Sequence, residues 1–267
     1  MKAGYFQFAP EWKNPKSTLQ KVKQRLKGEK FDLLVLPELF TTGYLLNEKE
    51  LWKFAENIDE SRTIEELTKI CESSGGFICG SIIEKDDEDY LFNTAILVGP
   101  EGLEGSYRKH HLPDFERQFL SSSWDDPKTF DIGDSKAGML ICFDIWFPEL
   151  MRILTRKGLQ VLCHPAAFGS SETPEIVKIR AMENRVFIIS ANLTGQESGA
   201  EQTQVYRGAS RIVSPEGKIL VESGQDEELI FIEINPDDAN HKRLPFCENL
   251  WSEWNHYKTE FSSNAQP

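Results

Sequence analysis

Two patterns of apolar residues alternate along this chain. In one, every residue or every second residue is apolar, as in a β-strand; in the other, apolar residues recur every three or four positions, as on one face of a helix. Residues 2–8 read as a strand, 15–27 as an amphipathic helix, and 31–36 as a strand that is apolar on both faces and therefore buried on both. A helix is predicted over 61–73, with Thr63 and Glu66 at the spacing of a capping box. Residues 76–84 and 91–99 read as strands joined by an acidic turn at 85–89. A further strand, 102–108, leaves the Gly99-Pro100-Glu101-Gly102 turn. The second half continues with a strand at 136–142, a helix at 148–157, a strand at 161–164, a helix at 173–184 and a buried strand at 186–192. Strands near 208–213, 218–221 and 228–234 follow, around the Ser214-Pro215-Glu216-Gly217 turn. Such alternation predicts an α/β layered fold in which helices cover the faces of sheets.

Residues 236–267 lack this periodicity but carry Trp251, Trp254 and Tyr257. That much aromatic surface predicts a C-terminal tail packed on the body or on a partner subunit. No Pro/Gly/Ser-rich linker and no shift in composition divides the chain, so 1–267 is read as a single domain. The net charge of −13 argues against nucleic-acid or anionic-membrane partners, because phosphate contacts need clustered Lys and Arg. Lys21, Lys23, Arg25 and Lys27 alternate along a predicted helix and read as a solvated face. No apolar run reaches the length of a membrane span, and the first residues lead straight into a strand pattern, so neither a membrane segment nor a signal peptide is expected. Five cysteines without a CxxC pair fit neither a disulfide framework nor a zinc ribbon and point to a reducing, cytoplasmic setting. No metal site is expected: His110 and His111 are adjacent and would face opposite sides of a strand, and His164, His241 and His256 stand apart.

Three polar residues stand where apolar strands end. Glu38 follows Leu33-Leu34-Val35-Leu36-Pro37, Lys109 follows Gly105-Ser106-Tyr107-Arg108, and Cys142 ends Gly138-Met139-Leu140-Ile141. Ligand sites of open α/β sheets lie beyond strand ends, so the three can converge in one cleft. Taken singly, Cys142 reads as an inert core thiol, Glu38 as a helix N-terminal charge or half of a surface ion pair, and Lys109 as a solvated cation. Together they form a chemical set. A thiol needs a base to become a nucleophile at neutral pH, a partly desolvated carboxylate is a stronger base, and an ammonium group can stabilise an oxyanion.

Leu36-Pro37-Glu38-Leu39-Phe40 with Thr42-Gly43-Tyr44, Tyr107-Arg108-Lys109-His110-His111-Leu112, and Cys142-Phe143-Asp144 with Phe147-Pro148-Glu149 resemble the three signature blocks of the nitrilase (carbon–nitrogen hydrolase) superfamily. Their order and separations, 71 residues from Glu38 to Lys109 and 33 from Lys109 to Cys142, also match. His164-Pro165-Ala166 and Arg180-Ala181-Met182-Glu183-Asn184 resemble two supporting blocks, so the likeness extends to about residue 234. It implies a four-layer α-β-β-α sandwich that forms a homodimer or higher homo-oligomer. It further implies Cys142 as nucleophile, Glu38 as general base, Lys109 as oxyanion stabiliser, the Phe143 backbone N–H as a second oxyanion donor, and Glu116 as a second glutamate aiding position or proton transfer. No cofactor is implied.

The implied activity is hydrolysis of a small amide or N-carbamoyl amine through a thioester. Two readings stand beside it: a nitrilase, and a non-catalytic binding module. Members that act on nitriles tend to carry Cys-Trp-Glu where this chain has Cys142-Phe143-Asp144, which favours an amide. Members that act on ω-amides of dicarboxylates often carry Leu-Arg where this chain has Ile145-Trp146. Phe40, Tyr44, Trp146 and Phe168 are candidates to line an apolar substrate pocket, or else core or interface aromatics.

Overall fold

The computed structural model describes residues 1–199, 202–244, 246–247 and 249–255. In chain order the strands are β1 (Lys2–Gln7), β2 (Leu33–Val35), β3 (Phe77–Lys85), β4 (Leu91–Gly99), β5 (Gly102–Arg108), β6 (Thr129–Ile132) and β7 (Ser135–Met139). They continue as β8 (Val161–Ala166), β9 (Phe187–Asn192), β10 (Gln196–Ser198), β11 (Thr203–Val205), β12 (Arg211–Val213), β13 (Ile219–Glu222) and β14 (Glu228–Glu233). The helices are α1 (Pro15–Arg25), α2 (Glu48–Phe54), α3 (Arg62–Ser74), α4 (Pro148–Arg156), α5 (Glu172–Asn184) and α6 (Leu250–Asn255).

One six-stranded sheet runs β14-β1-β2-β3-β4-β5 and the other runs β13-β12-β9-β8-β7-β6. β1, β2 and β3 are parallel, as are β7, β8 and β9, and antiparallel strands complete each edge. The period of two decides which side chains go where. Ala3, Tyr5, Leu33, Val35, Cys79, Ala95 and Leu97 point between the sheets and share a core with Ala137, Met139, Cys163 and Ile189 of the second sheet. Their neighbours Phe6, Leu34, Ile78, Ile96 and Val98 point outward and bury Leu19 and Val22 of α1 and Leu67 and Ile70 of α3. On the far side, Met151 and Leu154 of α4 and Val177 and Ala181 of α5 close the inter-sheet core's outer flank. The layers are therefore α-β-β-α, a four-layer sandwich.

Local chemistry shifts several boundaries. The Thr63–Glu66 capping box does not form. Ser61 caps α3 by accepting from the Ile64 N–H at 3.1 Å, while Thr63 gives its hydroxyl to Glu56 and Glu66 pairs with Lys23 and Lys69. A capping box does form at α2, between Asn47 and Glu50. β2 stops at Val35, β7 stops at Met139, and β8 continues to Ala166. The helix α2, the edge strand β6 and the β10–β11 hairpin have no counterpart in the apolar pattern.

The described part of the tail packs on its own chain. Arg152 of α4 lies over the Trp254 ring at 4.0 Å, Arg156 donates to the Trp254 carbonyl at 2.7 Å, and Trp251 meets Trp254 edge-on at 5.1 Å. Tyr257 and His256 lie outside the described residues. Among the described residues no helix is long and apolar enough to cross a membrane. The sandwich predicts that Leu67→Ala, which empties a fully buried position between α3 and the sheet, costs about 2–5 kcal/mol. The measurement is urea unfolding, with a lower midpoint at unchanged slope; an unshifted midpoint contradicts the packing.

Candidate active site

Three turns bring the strand-end residues together. After β2, Pro37 ends the ladder and Glu38 anchors its N–H on the Ala166 carbonyl of the second sheet at 3.3 Å. The next residue, Leu39, takes a left-handed φ of 44°. After β5, Lys109 continues the strand register, its N–H on the Asn93 carbonyl at 2.9 Å. Cys142 stands three residues beyond the end of β7, not at the strand end itself. It opens a 3₁₀ turn, Cys142–Trp146, with a φ of 43°.

A left-handed φ at a non-glycine residue costs roughly 1–3 kcal/mol and persists only where the surroundings impose it. Here three groups do so. Asp144, fully buried, accepts from Ile141 N–H at 3.3 Å, Tyr107 O–H at 2.9 Å, His111 N–H at 2.9 Å and His111 Nδ1 at 3.1 Å. It thereby ties the turn to the segment that carries Lys109. His164 Nε2 donates to the Cys142 carbonyl at 3.1 Å, and its Nδ1 lies 2.8 Å from Ser190 Oγ. A carbonyl only accepts, so the proton sits on Nε2; burial pushes His164 down to about 4 and keeps it neutral. Arg180 of α5 closes the far end by donating to the Ile145 carbonyl at 2.9 Å and the Trp146 carbonyl at 3.0 Å.

The charged groups form one buried cluster. Lys109 Nζ donates to Glu38 Oε1 at 2.7 Å and to Glu116 Oε1 at 2.6 Å, and Lys109 and Glu38 are wholly excluded from solvent. Asn93 Nδ2 donates to the same Glu38 oxygen at 2.7 Å, and Tyr44 O–H donates to Glu116 Oε1 at 2.6 Å. Glu38 Oε2 is buried and makes no hydrogen bond to any described residue that meets ordinary geometry. Cys142, half-buried, is close enough to perturb that carboxylate.

Burial raises Glu38 to about 7, against the pull of Lys109 and with the help of Glu116. For Lys109, burial alone favours the neutral amine, but Glu116 and Glu38 outweigh it and hold the ammonium firmly charged. Burial first, then Glu38, push the Cys142 thiol well above its usual range; Lys109 opposes them and loses. The resting pair is thus a thiol beside a carboxylate, with one carboxylate oxygen uncommitted. Such a set can remove a proton from the thiol at the moment of attack and supply positive charge to an oxyanion.

The structure therefore brings Glu38, Lys109, Glu116 and Cys142 into one cluster and places Tyr44 in contact with it. Phe143 follows Cys142 in the turn and meets Phe147 edge-on at 5.3 Å. Phe168 is buried, its N–H on Asn192 Oδ1 at 2.8 Å and its carbonyl on Asn192 Nδ2 at 2.9 Å. Trp146 turns outward, 39% exposed, with Nε1 on Thr173 Oγ1 at 3.3 Å. Phe40 belongs to the core between the first sheet and its helices, against Gly80. Asn93, Asp144 and Glu197 are absent from the set read from the sequence. A polar Asn93 inside the apolar run Leu91–Val98 was a usable signal; nothing in the motif spacing marks Glu197.

Comparison with known proteins places this geometry in a family. Residues 2–243 match the carbon–nitrogen hydrolase family. A nitrilase from Pyrococcus abyssi is 35% identical over 258 residues, covering 95% of this chain and 97% of that protein. A 2-oxoglutaramate amidase from Bacillus subtilis is 32% identical over 91% of this chain and 95% of its own length. The crystal structure of Saccharomyces cerevisiae Nit3, a member of the nitrilase superfamily, is 27% identical. It superposes with a TM-score of 0.81 over 92% of this chain and 94% of Nit3. With its motifs, its sandwich and its match over nearly the whole length, the chain belongs to the carbon–nitrogen hydrolase family.

Proposed function

We propose that the chain hydrolyses a non-peptide C–N bond in a small amide or N-carbamoyl amine through a thioester on Cys142. One observation carries this reading. Lys109 and Asn93 both hold Glu38 Oε1, while the buried Oε2 is left without a partner beside a thiol that burial keeps protonated.

As Cys142 Sγ attacks the amide carbonyl carbon, its proton passes to Glu38 Oε2. The Lys109 ammonium and the Phe143 backbone N–H take up the charge that develops on the carbonyl oxygen. Glu38 returns the proton to the departing ammonia or amine as the C–N bond breaks, leaving the thioester. Water then gives a proton to Glu38 and attacks the thioester carbon, and the thiol leaves with that proton. Glu116, bound to Lys109 and Tyr44, keeps the ammonium charged and in place. Cys142 and Glu38 supply both nucleophile and base, so these steps involve no cofactor.

The likeness to a nitrilase from Pyrococcus abyssi favours a second reading in which a nitrile is the substrate. Against it stands Asp144 where nitrile-acting members tend to carry glutamate. Here that carboxylate receives protein donors on both oxygens, which engages it in holding the turn. The single-domain reading is supported by the core that both sheets share. A homodimer or higher homo-oligomer is supported by the exposed Ile153, Ile179 and Met182 on α4 and α5, and a cytoplasmic setting by five cysteines that are all free thiols.

Assay of matched amides and nitriles separates the two readings. Wild type is expected to release ammonia from amides, and Cys142→Ala to lose that activity while melting at the wild-type temperature. Turnover confined to nitriles overturns the amide reading, and an active Cys142→Ala overturns the mechanism. The pH dependence follows from Glu38, which must be ionised to accept the thiol proton. With Glu38 held up at about 7, kcat/KM should climb as pH rises through about 7 and be lost below it. That limb belongs to the coupled cluster, not to Glu38 alone. A flat profile between pH 5 and 8 contradicts this assignment of the base.

A further inference from the structure

Outside the reacting cluster, a second buried carboxylate grips the loop that supplies Tyr44. Glu197 lies on β10 and is 5% exposed. Its Oε2 accepts from the Tyr44 N–H at 2.9 Å, the Leu45 N–H at 2.9 Å and the Tyr206 O–H at 2.9 Å. The loop is shaped to receive it. Gly43 adopts a φ of +88°, and a Cβ there would stand 2.6 Å from Glu197 Oε1 and 2.8 Å from Trp12 Cδ1. Glutamate and indole thus fill the space that glycine leaves.

From this grip an unbroken series of short contacts leads to the chemistry. The Tyr44 hydroxyl donates to Glu116 Oε1 at 2.6 Å, and the same oxygen receives Lys109 Nζ at 2.6 Å. Lys109 in turn donates to Glu38 at 2.7 Å. The Tyr44 backbone is fixed from one side by Glu197, and its ring reaches the cluster on the other, with Lys109 Nζ 6.0 Å from the ring centroid. The hairpin that bears Glu197 belongs to neither sheet of the sandwich, so this carboxylate links a peripheral element to the reacting groups.

We propose that Glu197 is a positioning residue for the reaction: by holding the Tyr44–Leu45 amides it fixes the tyrosine hydroxyl that orients Glu116 against Lys109. The proposal rests on the reading of the site given above. Its oxygen, not its charge, does the holding, and its reach is what matters. Three substitutions separate these features. Glu197→Gln keeps an accepting oxygen at the same reach, Glu197→Asp keeps the charge but draws it back by one carbon, and Glu197→Ala removes both.

Steady-state kinetics on an amide that the wild type hydrolyses provide the test. Glu197→Gln is expected to keep most of the activity, whereas Glu197→Asp and Glu197→Ala lower kcat by about tenfold or more with KM little changed. Tyr44→Phe should show a similar loss, and Glu197→Ala combined with Tyr44→Phe should lose no more than either alone, because both break one series of contacts. A merely structural role would instead multiply the two losses. Should Glu197→Ala fail to fold, Glu197→Asp takes its place in the same cycle. Multiplied losses, a Gln variant as impaired as the Asp variant, or wild-type activity in the Asp variant overturns the proposal. Cys142→Ala, assayed alongside, tells the two failures apart. If it is inactive beside a fully active Glu197→Asp, the clamp alone is wrong; if it still turns over, the reading of the site is wrong and the clamp with it.

Discussion

The site depends on one buried arrangement of charge: an ammonium group, Lys109, shared between two carboxylates, Glu38 and Glu116. Taking ions out of water costs several kcal/mol each, and only close, well-aligned partners offset that cost. Lys109 has such partners at 2.7 and 2.6 Å, and Asn93 and Tyr44 satisfy the same two carboxylate oxygens. The cluster carries one negative charge in excess. That excess is useful, because burial then lifts Glu38 toward neutrality and leaves Oε2 as a ready proton acceptor. The cluster also explains why a two-sheet sandwich is required. Glu38 and Lys109 leave β2 and β5 of one sheet, and Cys142 follows β7 of the other, so these three groups meet only where the two sheets' ends are pressed together.

Cys142 is held by constraint and not by its own preference. Asp144, His164 and Arg180 come from three different segments, and each fixes a different backbone group of the turn. The result presents the sulfur to Glu38 in a backbone conformation that the residue would not choose. Electrostatics complete the picture. Burial and Glu38 together keep the thiol protonated despite Lys109, so in the proposed mechanism the proton moves as the sulfur attacks and not before. This differs from a thiol paired with a histidine, where a stable thiolate waits for substrate. His164, buried and neutral, serves the turn's carbonyl.

How legible was all this in the sequence? The strands read over 31–36 and 76–84 could be recognised because burial on two sides leaves a run of Leu, Val and Ile. Glu38, Lys109 and Cys142 could be read as a candidate set because each follows such a run within a motif of fixed spacing. What escaped was set by distant contacts. The β10–β11 hairpin has polar strands, and the buried Glu197 is satisfied largely by the amides of Tyr44 and Leu45, about 150 positions earlier, with the Tyr206 hydroxyl. The capping box at Thr63 and Glu66 had the right spacing, yet Ser61 stood two residues earlier in the capping geometry and Glu56 captured Thr63. The left-handed turn at Cys142 was only partly legible: Asp144 lies two residues on and ties back to Ile141 N–H, but the other groups that hold the turn come from residues 107–111, 164 and 180.

The central claim is that Cys142 forms a covalent acyl intermediate in this cluster. Its most direct test is mass spectrometry of the intact protein, acid-quenched while it turns over an amide and then digested to locate any adduct. The account predicts a species heavier by the acyl group, mapped to Cys142 and absent from Cys142→Ala. Turnover with no adduct at any quench time, or an adduct on another residue such as Cys247, would contradict it.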